Sequence, residues 1–89
     1  MSAPESIDMN GRAFHLIGVG GAGMSVLAQL LAERGAAVTG SDAVGGDAFD
    51  HLRDLGLAVA RGHDADNVPA NATVVVSTAI KETNPELVV

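Results

Sequence analysis

The residues best suited to chemistry are Gly18-Val19-Gly20-Gly21-Ala22-Gly23, directly after an apolar run at 13–17 and directly before a helical pattern that opens with Met24. Such a stretch lets a strand end, reverse tightly and start a helix within a few residues, because glycine accepts positive φ and close backbone approach. The N–H groups of the first helical turn then face the turn, backed by a macrodipole equivalent to roughly +0.5 charge. The chemistry this supports is anion binding, most often of a diphosphate. Asp42 stands nineteen residues beyond Gly23, at the end of a second strand. A carboxylate there suits the vicinal hydroxyls of a ribose. The plainer alternative is that the glycines only let the helix pack closely on the sheet and Asp42 only caps a loop.

The other polar candidates are sparser. His63 follows Gly62 at a strand end and could donate to a phosphate or sugar, although Asp64, Asp66 and Asn67 beside it also make an ordinary turn. Ser77 and Thr78 could offer hydroxyls to a phosphate or cap their own loop. Lys81 is the only lysine and lacks a Gly-Lys-Ser/Thr context, so it reads as an exposed loop residue. Arg12 falls at the wrong end of the first strand, and Arg34 is explained by a helix C-terminus. His15 and His51 have no metal-ligand spacing to each other or to His63. No nucleophile-base pair, paired acids or P-loop can be assembled, so no catalytic residue and no metal site is expected in this segment.

These residues need a scaffold that brings strand ends together. Strands are expected at 13–19, 37–41, 57–60 and 73–77. The last contains Val74-Val75-Val76 and has the character of a strand buried on both faces. Helices are expected at 22–34, with Leu27, Leu30 and Leu31 on one side, and at 48–55, with Phe49, Leu52 and Leu55 as the buried stripe. Gly35 and Gly56 stop them. Asn84-Pro85-Glu86 reads as a further helix start, with Asn as N-cap, Pro at the first helical position and an acid in the first turn. Right-handed crossovers then give a Rossmann-like α/β fold: an open parallel sheet of order 3-2-1-4 with helices on both faces, as a truncated single domain. Ligands of such sheets bind beyond the carboxyl ends of the strands, where the order reverses beside strand one.

Composition sets the bounds. With 89 residues, residues 1–12 read as a flexible tail and 13–89 as one small domain. A chain of this size buries only about 60 to 65% of the surface exposed by its unfolded form. The hydrophobic content is 47% with no Trp or Tyr, so the core must be built from Val, Leu, Ile, Ala, Phe14 and Phe49, a largely aliphatic content that suits a parallel sheet covered by helices. A formal net charge of −6 argues against nucleic acid or an anionic membrane as partner. It also obliges local backbone dipoles to hold any phosphate against an unfavourable overall field. Absence of Cys excludes disulfides and thiolate metal sites here. Neither a transmembrane segment nor a signal peptide is legible, which makes a cytoplasmic location the default.

Several motifs together exceed a generic dinucleotide fold. They are 15–25 (His-Leu-Ile-Gly-Val-Gly-Gly-Ala-Gly-Met-Ser), Gly40-Ser41-Asp42, 62–68 (Gly-His-Asp-Ala-Asp-Asn-Val), and 75–80 (Val-Val-Ser-Thr-Ala-Ile) with Asn84-Pro85-Glu86. In this order, over about 13–89, the chain resembles the N-terminal domain of the Mur ligases of peptidoglycan synthesis, and within them the branch that adds L-alanine to UDP-N-acetylmuramate. The resemblance implies a domain that holds the UDP part of that nucleotide sugar. Gly18, Gly20, Gly21, Ala22, Gly23 and Met24 would face the diphosphate. Ser41 and Asp42 would lie near the uridine, and His63 with Ser77, Thr78, Ala79 and Ile80 would line the diphosphate and sugar side. The implied full-length enzyme uses ATP and Mg²⁺ to activate the lactyl carboxylate as an acyl phosphate, and needs two further domains. The family's Gly-Thr-His-Gly-Lys-Thr segment is not among these 89 residues, so the expectation is a segment that binds UDP-N-acetylmuramate without ligating. An NAD-binding Rossmann domain of a regulatory or redox protein is the alternative that Gly18, Gly20, Gly23 and Asp42 alone would fit equally.

Overall fold

The computed structural model describes residues 11–76 and 84–88. In chain order the elements are β1 (Ala13–Ile17), α1 (Ala22–Glu33), β2 (Ala37–Asp42), α2 (Asp47–Asp54), β3 (Ala58–Arg61), a 3-10 turn (Ala65–Asn67), β4 (Thr73–Val76) and α3 (Pro85–Val88). The four strands form one parallel sheet in the order β3-β2-β1-β4, as expected. β1 is central, with His15 opposite Thr39 on β2 and Val74 on β4.

Alternation along the strands divides the sheet into two unlike faces. Leu16 and Val38 point toward α1 and α2, where they meet Val19, Ala28, Leu31, Phe49 and Leu52 in the main core. Phe49 and Leu52 are fully buried, and each stabilises the fold by about 1.5 to 3 kcal/mol through its removal from water. Both helices end as the sequence indicates. The Gly35 and Ala36 N–H groups bond to the carbonyls of Ala32 and Leu31, and those of Gly56 and Leu57 to Arg53 and Leu52, the paired bonds of a Schellman ending. On the opposite face, His15, Thr39 and Ser41 point toward α3 and the 3-10 turn, and here the contacts are polar. Among the described residues helices thus lie on both faces, α1 and α2 on one side and α3 with the 3-10 turn on the other.

Three expectations about burial are corrected. β4 is not buried on both faces: Val74 and Val76 are 37% and 43% exposed, because β4 pairs only with β1 among the described residues and only Val75 turns toward the main core. Leu30 faces outward, and the buried line of α1 is Ser25, Ala28 and Leu31; small residues let the helix axis approach the sheet. Leu55 is likewise exposed, since it lies past the last helical turn of α2 at the cap. Boundaries move by small amounts. β1 ends at Ile17 because the Gly18 and Val19 N–H groups both turn to the Ser41 carbonyl, at 2.8 and 2.9 Å.

Candidate functional site

The glycine turn is held to the end of β2 by backbone and by one carboxylate. Besides the two bonds to the Ser41 carbonyl, the Gly20 N–H donates to Asp42 Oδ2 at 2.9 Å. Asp42 Oδ1 accepts from the N–H groups of Val44 and Gly45 at 3.0 and 3.1 Å. Asp42 therefore ties the turn before α1 to the loop before α2. Burial works against its charge, but the Val44, Gly45 and Gly20 N–H groups, with the electrostatic pull of His63, hold its carboxyl below the usual value. With Oδ1 already accepting twice, Oδ2 keeps the open acceptor position.

Close approach explains two glycines here. A Cβ on Gly20 would sit 2.9 Å from Asp42 Oδ2 and 3.1 Å from the Gly45 carbonyl; one on Gly40 would sit 2.8 Å from Val19 Cβ. The turn then delivers the start of α1 to the surface. Gly21 is the N-cap and supplies no side chain, and the first turn carries no acid. The first helical bond runs from Ser25 N–H to the Gly21 carbonyl, so the helix itself offers no acceptor to the N–H groups of Ala22, Gly23 and Met24. Gly21, Ala22 and Gly23 are exposed. This is the geometry in which a helix start receives an anion.

A second cluster, which sequence reasoning missed, lies beneath this edge on the α3 side. Its centre is Glu86, 2% exposed. Asn84 Oδ1 caps α3 by accepting the Glu86 N–H at 2.9 Å, and the cap aims the Glu86 side chain at the sheet. Oε1 accepts from His15 Nε2 at 2.8 Å and from Ser41 Oγ; Oε2 accepts from Asn67 Nδ2 at 2.8 Å and the Asp64 N–H at 3.0 Å. His15 Nδ1 lies 2.7 Å from Thr39 Oγ1, and His63 Nδ1 lies 2.9 Å from Ser41 Oγ. Burial opposes the Glu86 charge, yet the Ser41, Asn67, His15 and Asp64 donors outweigh it and hold the carboxyl at about 2. Every described buried side-chain N and O has a partner.

The structure thus brings Gly18, Gly20, Gly21, Ala22, Gly23, Met24 and Asp42 together at the carboxyl ends of the strands. Ser41 is fully buried, its hydroxyl engaged by Glu86 and His63, so what it offers at the edge is its carbonyl. His63 keeps 16% of its side chain exposed. Ser77, Thr78, Ala79 and Ile80 lie outside the described residues, as does Lys81. Arg61 ends β3 with its guanidinium stem beside Gly45, a positive charge on the ligand side of the sheet.

The model of the Mur ligase family, catalytic domain, matches residues 13–89. The chain belongs to the Mur ligase family. Among curated relatives, the UDP-N-acetylmuramate–L-alanine ligase of Streptomyces coelicolor is 57% identical over 75 residues, 83% of this chain and 16% of the relative. That of Thermobifida fusca is 51% identical over 85 residues, 96% of this chain and 18% of the relative. Among solved structures, the UDP-N-acetylmuramate-alanine ligase MurC from Thermotoga maritima superposes with a TM-score of 0.81 at 34% identity, over 86% of this chain and 18% of that one. This Mur ligase chain therefore spans less than a fifth of the length of these relatives. The alternative of an NAD-binding domain finds no support among them. No helix among the described residues is long and apolar enough to cross a membrane.

Proposed function

We propose that this chain is the nucleotide-sugar-binding part of a ligase that joins L-alanine to UDP-N-acetylmuramate, and that its own task is to hold the UDP moiety. The observation that carries the reading is the glycine turn pinned by Asp42, which presents the exposed first turn of α1 without a side-chain cap. The activity for which relatives at 57% and 51% identity are named supports the choice of ligand.

On this reading the N–H groups of Ala22, Gly23 and Met24 receive the diphosphate, with Gly21 leaving the helix start uncapped and Gly20 leaving room for the Asp42 tie. Asp42 Oδ2 accepts from a hydroxyl on the uridine side. His63 and the 77–80 segment line the sugar side, and the Ser41 carbonyl holds the turn in place. The remaining ligase domains, together with ATP and Mg²⁺, supply the ligation. The sequence has no Gly-Lys-Ser/Thr and the chain spans less than a fifth of its relatives' length, so the reading assigns the reaction steps to those remaining domains. By itself it binds and does not ligate. The reading also places the protein in the cytoplasm, where nucleotide-activated sugars and ATP are available, with no nucleic acid or membrane partner.

Isothermal titration calorimetry of the 89-residue chain with UDP-N-acetylmuramate, UDP and NAD tests the proposal. Saturable heat with the two uridine compounds and none with NAD is expected. Heat with NAD alone, or with none of the three while the chain is folded, overturns it.

A further inference from the structure

The hydrogen bonds around Ser41 determine which nitrogen of His63 carries the proton. Glu86 is an ionised carboxylate with acceptor oxygens only, so the single hydroxyl proton of Ser41 goes to Oε1. Ser41 Oγ then has only lone pairs left for its other neighbour, His63 Nδ1 at 2.9 Å. That contact is a hydrogen bond only if Nδ1 bears a hydrogen. A neutral ring is thereby held in the Nδ1–H tautomer, the less populated one for a free histidine side chain. The same carboxylate also fixes the backbone that carries the ring, since its Oε2 accepts from Asp64 N–H, next to His63, and from Asn67.

We propose that Glu86 is a positioning residue for ligand recognition: acting through Ser41, it fixes His63 so that Nε2 presents a lone pair at the site edge and accepts a hydrogen bond from a hydroxyl or N–H of the nucleotide sugar. This reverses the direction open from sequence, in which His63 could donate to a phosphate or sugar. Anion contact stays with the backbone at the start of α1. His63 instead selects for a donor group on the ligand. The ionisable groups facing the ring are acids: Glu86 Oε2 from α3 lies 3.7 Å from Nδ1, and Asp42 from β2 is close enough to interact with it electrostatically. The tautomer follows from the hydrogen bonds alone; the ligand contact rests on the nucleotide-sugar reading.

Long-range ¹H–¹⁵N NMR of the histidine rings separates the two. In the ligand-free 89-residue chain, at a pH high enough to leave the ring neutral, His63 is expected to show a protonated Nδ1 and an unprotonated Nε2; the Nε2–H pattern would overturn the inference without bearing on nucleotide binding. In Ser41→Ala the relay is cut while Glu86 keeps its bonds to Asp64 and Asn67, so His63 is expected to shift toward the Nε2–H form. If the released ring holds Nδ1–H about a fifth of the time, the apparent Kd for UDP-N-acetylmuramate rises about fivefold. Glu86→Gln is expected to release the tautomer too. An unchanged tautomer in Ser41→Ala, or an Nε2 that becomes protonated when UDP-N-acetylmuramate is added to the parent chain, contradicts the proposal. Absence of binding in the parent chain with the expected tautomer intact would instead refute the nucleotide-sugar reading.

Discussion

Replacing Glu86 by Gln should destabilise the chain in a pH-dependent way whose size follows from the buried cluster. The Glu86 carboxyl moves from an ordinary value of 4.5 to about 2 in the folded chain. A shift of this kind is a stability contribution of about 1.4 kcal/mol per unit, hence about 3 kcal/mol in all. Because the folded value is the lower one, the contribution is fully present above the unfolded value near 4.5 and is lost as pH falls through that value toward 2. At pH 3 about 2 kcal/mol of it has gone. A domain of this length has roughly 4 to 13 kcal/mol of stability, so the term is a large share. Urea unfolding followed by far-UV circular dichroism is the assay, since the chain has no Trp or Tyr for intrinsic fluorescence. With a slope of about 1 kcal/mol per molar urea, the parent and Glu86→Gln midpoints should differ by about 3 M at pH 7 and by about 1 M at pH 3. Comparing the two chains at each pH removes the titration of the other acids they share. A gap that stays constant, or widens, between pH 7 and pH 3 would refute the reasoning.

Three further outcomes follow from the same geometry. Gly20→Ala places a methyl 2.9 Å from Asp42 Oδ2; it should displace the Asp42 tie and raise the Kd for UDP about tenfold or more by calorimetry, equivalent to about 1.4 kcal/mol. Gly40→Ala sets a methyl 2.8 Å from Val19 Cβ and should lower stability by about 1 to 3 kcal/mol in urea unfolding, as overpacking does. Asp42→Asn keeps one acceptor oxygen where three N–H groups now converge on two. It should loosen the 42–46 loop, visible as faster amide hydrogen exchange at Val44 and Gly45, while exchange at Leu16 in the core stays slow.

Much of this fold could be read from the chain because it is written locally. The strand, glycine turn and helix of 13–33, the glycine stops at 35 and 56, and the Asn84-Pro85-Glu86 helix start are all short-range patterns, and each occurs where expected. The order 3-2-1-4 then follows from the handedness of parallel connections. What could not be read is the pairing of polar residues far apart in sequence. Glu86 reads locally as an acid favoured by a helix dipole, and only the fold shows it meeting His15, seventy-one residues away. One signal was present: a histidine inside the otherwise apolar strand Ala13–Ile17 must be buried, and a buried imidazole requires partners. Burial was misjudged where large aliphatic residues stood in the pattern, at Leu30, Leu55, Val74 and Val76. Small residues line the contact of α1 with the sheet, and β4 has one described neighbour, and neither fact is carried by hydrophobic periodicity.

The central claim is that the turn 20–24 with Asp42 receives the UDP part of UDP-N-acetylmuramate. Amide NMR of the 89-residue chain titrated with that ligand, with NAD as control, tests it most directly. The account predicts the largest shifts at Gly20, Gly21, Ala22, Gly23 and Met24, with further shifts at Asp42 and His63, and no response to NAD. A well-dispersed spectrum in which those amides stay in place while the ligand moves others, or in which NAD moves them and UDP-N-acetylmuramate does not, would contradict it.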